Sequence, residues 1–154
     1  EVFRSTGARV GEIAEITMEQ VNLETGDVWI QGEKGGKYRT LYLDDDARHY
    51  YRLYLDTRED DCPYMFPRSR RPYGKMTTCA FRGIMKDIGG RAGITSRVYP
   101  HKMRKTLGMN LKNKGVDIGT IQEVLGHASP AVTSQYYAQS TPHTLRSVRE
   151  RVAV

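Results

Sequence analysis

Pro100-His101-Lys102-Met103-Arg104-Lys105-Thr106-Leu107, with the residues that carry on to Gly126, is the stretch on which the reading of this chain turns. Proline is well placed at the first position of a helix, where its missing N–H has no intrahelical acceptor to lose. Met103, Leu107 and Leu111 recur at helical spacing and predict a helix with that row buried, ended by Asn113-Lys114-Gly115. Asp117 is a good cap for a second helix, whose Ile118, Ile121, Val124 and Leu125 run until Gly126 stops it. His101 and Arg104 stand three residues apart, so they share one face of the first helix.

Downstream, Leu125-Gly126-His127 leads to a short predicted helix from Pro130 that carries Tyr136 and Tyr137. Leu145, Val148 and Val152 then form a narrow apolar stripe on a last helix. Upstream, Phe81, Ile84, Met85, Ile88 and Ala92 predict a core-facing helix. Residues 60–74 read as a loop, with three prolines and the cluster Arg68, Arg70, Arg71, closed by Lys75. Asp44-Asp45-Asp46 opens another helix, because acids in a first turn complement the helix dipole. Its expected stripe is Ala47, Tyr50, Tyr51, Tyr54 and Leu55. The alternating runs at Val28–Ile30 and Arg39–Leu43, with glycines between, predict a β-hairpin whose tip holds Lys34 and Lys37. Val10, Ile13 and Ala14 suggest a helix, and Thr17-Met18-Glu19-Gln20 has the pattern of a capping box. The expected class is α+β: a mainly helical domain with one small antiparallel sheet.

The chain has 154 residues, enough for a single core that buries about two-thirds of the surface of the unfolded chain. Apolar residues make up 38% and charged residues 27%, a globular balance rather than a disordered one. No apolar run approaches the length of a membrane span. Cys62 and Cys79 have neither CxxC nor zinc-ligand spacing, which suggests reduced thiols and an intracellular protein rather than a disulfide scaffold. The formal charge of +6 is unevenly spread. Residues 1–66 hold 8 Lys/Arg and 14 Asp/Glu, whereas residues 67–154 hold 16 Lys/Arg and 4 Asp/Glu. So basic a second half points to a polyanion, with nucleic acid first among the candidates.

Taken singly, each reactive-looking residue has a plain explanation. A helical arginine or hairpin lysine is usually a solvated charge, a histidine after glycine a cap, and a tyrosine pair amphipathic core. Their order carries more. Thr6-Gly7-Ala8-Arg9 with Glu12, a hairpin lysine, Pro100-His101-x-x-Arg104-x-Thr106, Leu125-Gly126-His127 and a tyrosine nine residues on together resemble the catalytic domain of tyrosine recombinases, the phage-integrase and Xer family. The resemblance runs from about residue 5 to about residue 140.

It implies roles residue by residue. Arg9 and Arg104 match the two arginines of the family, His101 the histidine of the central box and His127 the histidine after Leu-Gly. Lys34 matches the hairpin lysine, with Lys37 as a rival on the same tip. Tyr136 matches the nucleophile, with Tyr137 as a rival one residue away. Many relatives carry histidine where this chain has Lys105; that residue either touches a DNA phosphate or is solvated. Arg68, Arg70, Arg71 and Lys75 are the local candidates for backbone contacts, against the reading of a solvated loop.

The implied reaction suits these side chains. Two guanidiniums can fork onto the nonbridging oxygens of a phosphodiester and stabilise the charge that grows in the transition state. A tyrosine ester conserves the bond energy, so neither metal nor ATP is called for. The resemblance implies residues 1–154 as a catalytic domain without the upstream core-binding domain that completes a clamp on double-stranded DNA. It further implies a homotetramer on DNA for the full-length protein, a monomer for the isolated fragment, and integration or excision of a mobile element. A type IB topoisomerase shares the chemistry, and a non-catalytic DNA-binding module shares the charge. Leu-Gly-His close to Tyr136 favours the recombinase over the first, and a complete set of six side chains over the second.

Overall fold

The computed structural model describes residues 1–31 and 38–126. Six helices and one hairpin are found among them: α1 (Val2–Thr6), α2 (Val10–Glu15), β1 (Asp27–Gln31), β2 (Tyr38–Tyr42), α3 (Asp45–Asp56), α4 (Thr78–Arg91), α5 (Pro100–Asn113) and α6 (Ile118–Leu125). A single 3₁₀ turn at Met18–Gln20 follows α2, where Thr17 and Gln20 form the expected capping box. The expected class, mainly helical with one small antiparallel sheet, is the architecture seen. No helix of the described residues is long and apolar enough to cross a membrane.

The strands pair antiparallel with Val28 opposite Leu41 and Ile30 opposite Arg39. Alternation then sends Val28, Ile30 and Leu41 inward and leaves Trp29 and Tyr42 exposed. The main core gathers Ile13, Ile16, Val28, Ile30, Leu41, Tyr51 and Met65. Phe81 joins it from α4 with its ring edge-on to both Phe3 and Phe66. A smaller cluster centres on Ile121 and Leu125 of α6, packed against Leu107 and Leu111 of α5.

The expected stripe of α3 holds apart from Tyr50, whereas the buried rows of α4 and α5 depart from expectation by one residue. On α3 the buried side chains are Ala47 and Tyr51, whereas Tyr50 is 56% exposed, one residue off that row. On α4 the contacting row is Phe81, Met85 and Gly89, so Ile84 and Ile88 face outward at 43% and 51% exposure. One residue along a helix is a rotation of about 100°, enough to take a side chain off the contact face. Gly89 can lie on that face because Val98 presses there; a Cβ would come within 2.7 Å of its Cγ2. On α5 the most buried row is Pro100, Arg104, Gly108 and Lys112, while Met103, Leu107 and Leu111 are only half-buried. Arg104 turns inward for partners that only the fold supplies.

α1 was not expected from its sequence. It is tied down by side chains: Ser5 Oγ donates to the Tyr42 carbonyl at 3.0 Å, and Arg4 reaches Asp44 at 2.8 Å. It ends at Gly7, whose φ of +58° suits glycine and whose Cα faces α5 and α6. A Cβ there would stand 2.8 Å from Leu107 Cδ2 and 3.0 Å from Leu125 Cδ2. Gly7→Ala is therefore expected to destabilise the chain by about 1–3 kcal/mol, through overpacking and an unfavourable φ. A lower urea midpoint at constant m-value is the measurement.

Candidate active site

Arg9 is the N-cap of α2, in extended conformation, and Glu12 lies one turn later. Glu12 folds back on the cap: its Oε2 accepts the Arg9 backbone N–H at 2.7 Å, and its Oε1 accepts Arg9 Nη1 at 3.0 Å. From β2, Arg39 donates Nη2 to Glu12 Oε2 at 2.8 Å. The Glu12 side chain is 1% exposed, so one buried carboxylate is held between two guanidiniums. Buried charge is tolerable when it is paired and hydrogen-bonded in this way.

Arg104 approaches from α5 and is 3% exposed. Its Nη1 donates to the Gly7 carbonyl at 2.7 Å and its Nη2 to the Leu125 carbonyl. Arg9 Nη2 donates to the next carbonyl, that of Gly126, at 3.0 Å. The two arginines therefore converge on the same turn, the C-terminal end of α6, whose last carbonyls have no intrahelical donor. Positive charge is favoured at that end of a helix dipole. The residue after this turn is His127.

Gly126 closes α6 at φ 62°. Arg39 lies so close that a Cβ at residue 126 would overlap its guanidinium. Burial pulls the Arg39 pKa below its ordinary value; Glu12 opposes that pull and Arg9 adds to it. The guanidinium nevertheless remains charged at any working pH. Among the described residues, Arg39 Nε and Nη1 are buried and have no hydrogen-bond partner.

Of the residues singled out in the sequence, Arg9 and Arg104 are brought together as described. His101 stands on the first turn of α5, exposed, one turn before Arg104. Lys34, His127 and Tyr136, with the rivals Lys37 and Tyr137 and the stripe of Leu145, Val148 and Val152, lie outside the described residues. Lys105 is exposed on α5. Arg68, Arg70 and Arg71 are exposed on a loop closed by the pairing of Pro67 with Lys75, and Arg71 lies over the Tyr73 ring at 5.7 Å. Lys75 is ion-paired with Glu15, at the end of α2 opposite Arg9, and this hydrogen bond raises its pKa. Both cysteines are free thiols, Cys62 buried and Cys79 exposed.

Arg39 was not singled out by sequence reasoning, and Glu12 was quoted only as part of a motif. The signal for Arg39 was the alternation itself, since position 39 shares the apolar face of β2 with Leu41. A charge on a buried face needs a partner, and Glu12 is that partner.

The chain is similar to known proteins along nearly its whole length. The family model described as the phage integrase family matches residues 1–144. The chain is 38% identical over 147 residues to tyrosine recombinase XerA of Pyrococcus furiosus, covering 95% of this chain and 50% of that protein. The crystal structure of XerA recombinase superposes with a TM-score of 0.83 at 31% identity, over 97% of this chain and 55% of that one. The Tn1549 transposon integrase, solved with transposon right end DNA, shares the fold, with a TM-score of 0.77 at 18% identity over 99% of this chain and 57% of that one. The chain thus spans about half the length of the curated relatives it matches. Two arginines seated on the turn before His127, in a fold shared with XerA and a family match along nearly its whole length, make this chain a member of the phage integrase family.

Proposed function

We propose that this chain is the catalytic domain of a site-specific DNA recombinase, which cuts and rejoins double-stranded DNA through a covalent 3′-phosphotyrosine. The observation that carries the reading is the seating of Arg9 and Arg104 on adjacent carbonyls of the turn that precedes His127. Fixed guanidiniums of this kind cost no reorganisation when charge develops on a phosphate, which is the basis of electrostatic catalysis.

In this reading Tyr136 Oη attacks phosphorus, the bond from phosphorus to the 5′-oxygen breaks, and a 5′-hydroxyl leaves. The phenolic proton passes to His101, and Lys34 supplies a proton to the departing oxygen. Arg9, Arg104 and His127 stabilise the charge on the nonbridging oxygens. Rejoining is the same step reversed, with the 5′-hydroxyl as nucleophile. The excess of basic side chains after residue 66 adds affinity for the DNA backbone, with Arg68, Arg70, Arg71, Lys75 and Lys105 as candidates. A core-binding domain from outside this chain and a tetramer on paired sites complete the proposal, which includes integration or excision of a mobile element.

The test uses the full-length protein and a pool of nicked duplexes randomised around the cut. Wild type should yield a denaturation-resistant protein–DNA adduct in the presence of a chelator, and Tyr136→Phe none. An adduct lost only in Tyr137→Phe would move the nucleophile by one residue. Absence of any adduct would sink the reading. For Lys34, a 5′-bridging phosphorothiolate, which leaves without a proton, should restore cleavage by Lys34→Ala.

A further inference from the structure

A carboxylate beside a phosphate-binding arginine has two opposed effects. It fixes the guanidinium, as Glu12 fixes Arg9 at 3.0 Å, and it cancels that guanidinium's charge. An isolated Arg–Glu pair presents an anion with a dipole, whose field falls off faster than that of a charge. Here the carboxylate is shared. Arg39 holds its other oxygen at 2.8 Å, so the trio carries one net positive charge, and Arg104 stands at the same turn.

Position 39 is a costly place for a charge, because the guanidinium gives up water on burial. It sits on the inward face of β2, opposite Ile30, which is buried. Its Nε and Nη1 are buried without a hydrogen-bond partner among the described residues, whereas nearly all buried polar groups in proteins have one. Its guanidinium lies against Gly126, where no side chain intervenes. Among the described residues most of its donors are thus left unused, and its side-chain hydrogen bond goes to the group that would otherwise neutralise Arg9.

We propose that Arg39 is a charge-balancing positioning residue: by sharing Glu12 it lets that carboxylate orient Arg9 without neutralising the pocket toward an incoming phosphate. The proposal rests on the phosphoryl-transfer reading above, and one arm of its test is independent of that reading.

The first arm measures adduct formation by the full-length protein on the nicked duplexes. The scissile position carries either the ordinary phosphodiester or a methylphosphonate, which lacks the negative charge. Arg39→Gln should slow adduct formation about 100-fold on the phosphodiester, the size of losing one preorganised donor, and only a few-fold on the methylphosphonate. Arg39→Lys should keep much of the rate, because the charge is retained. Adding Glu12→Gln to Arg39→Gln should recover about tenfold, because both charges then leave together. A purely structural role gives equal losses on the two substrates and a deeper loss in the double variant, and either result overturns the proposal.

The second arm titrates inorganic phosphate into wild type and variants by calorimetry and needs no tyrosine chemistry. Arg39→Gln should weaken uptake about tenfold, and the Glu12→Gln, Arg39→Gln double variant should regain it. Unchanged uptake in Arg39→Gln, or none in wild type, overturns the proposal. Wild type that takes up phosphate in this pattern yet forms no adduct keeps the charge balance and removes the recombinase reading.

Discussion

Glu12→Ala is expected to lower the stability of the chain by about 3–5 kcal/mol, the usual consequence of removing one partner from a buried ion pair. The carboxylate accepts three donors: the Arg9 backbone N–H, Arg9 Nη1 and Arg39 Nη2. Its loss strands the Arg39 guanidinium, of which two nitrogens already lack a partner among the described residues. It also opens the N-terminus of α2, where the Arg9 N–H is one of the donors that no helical carbonyl can satisfy. Glu12→Gln should be milder, because the amide oxygen can still accept while the charge is lost. Such a loss is a large part of the roughly 5–15 kcal/mol that holds a domain folded. Urea unfolding followed by circular dichroism should therefore show the Ala variant with a much lower midpoint, and the Gln variant between it and wild type. Equal midpoints for Ala and wild type would mean that the carboxylate contributes nothing to folding.

Arg104→Ala should be nearly as damaging to the fold and more so to cleavage. Its side chain satisfies the carbonyls of Gly7 and Leu125, which come from opposite ends of the chain's described residues. Removing it leaves two carbonyls short of a donor and a gap in the packing of α1, α5 and α6, together worth about 2–4 kcal/mol. Adduct formation should fall by at least 100-fold, since a preorganised cation is lost from the pocket. Arg104→Lys separates the two effects. An ammonium keeps the charge but lacks the planar fork that spans both carbonyls. Its urea midpoint should sit between wild type and Ala, and its adduct rate should remain well below wild type. A Lys variant that cleaves at the wild-type rate would show that charge alone, without the fork, is what the pocket needs.

Elements governed by local rules were readable before the fold was known. The cap at Asp117, which accepts the Thr120 N–H at 2.9 Å, is one, and the Thr17–Gln20 capping box is another. The hairpin strands fell within a residue or two of their expected bounds, because alternation and glycine punctuation are local signals. α1 was missed: five residues without a side-chain cap carry almost no helical signal, and its anchors lie about forty residues away at Tyr42 and Asp44. The Arg104 row of α5 was missed for a related reason. Hydrophobic periodicity assigns the buried face to Met103, Leu107 and Leu111, whereas the decisive partners are backbone carbonyls that no sequence pattern displays. In the site, Arg9 and Arg104 were legible through motif order, and Arg39 was not, because its meaning depends on a carboxylate 27 positions earlier.

What Arg9 and Arg104 hold at the end of α6 is its peptide oxygens, not its side chains. The pocket is therefore indexed to a position along the backbone and is largely indifferent to the exposed residues of the helix, provided that Ile121 and Leu125 keep it seated on α5. An exposed site such as Glu123 can be rewritten with little consequence for it. A change of length is another matter. Inserting or deleting one residue within Ile118–Leu125 would turn the carbonyls of Leu125 and Gly126 by about 100° around the axis and carry them along it. Over this stretch, then, natural variants and engineered libraries can be generous in composition but must be strict in count.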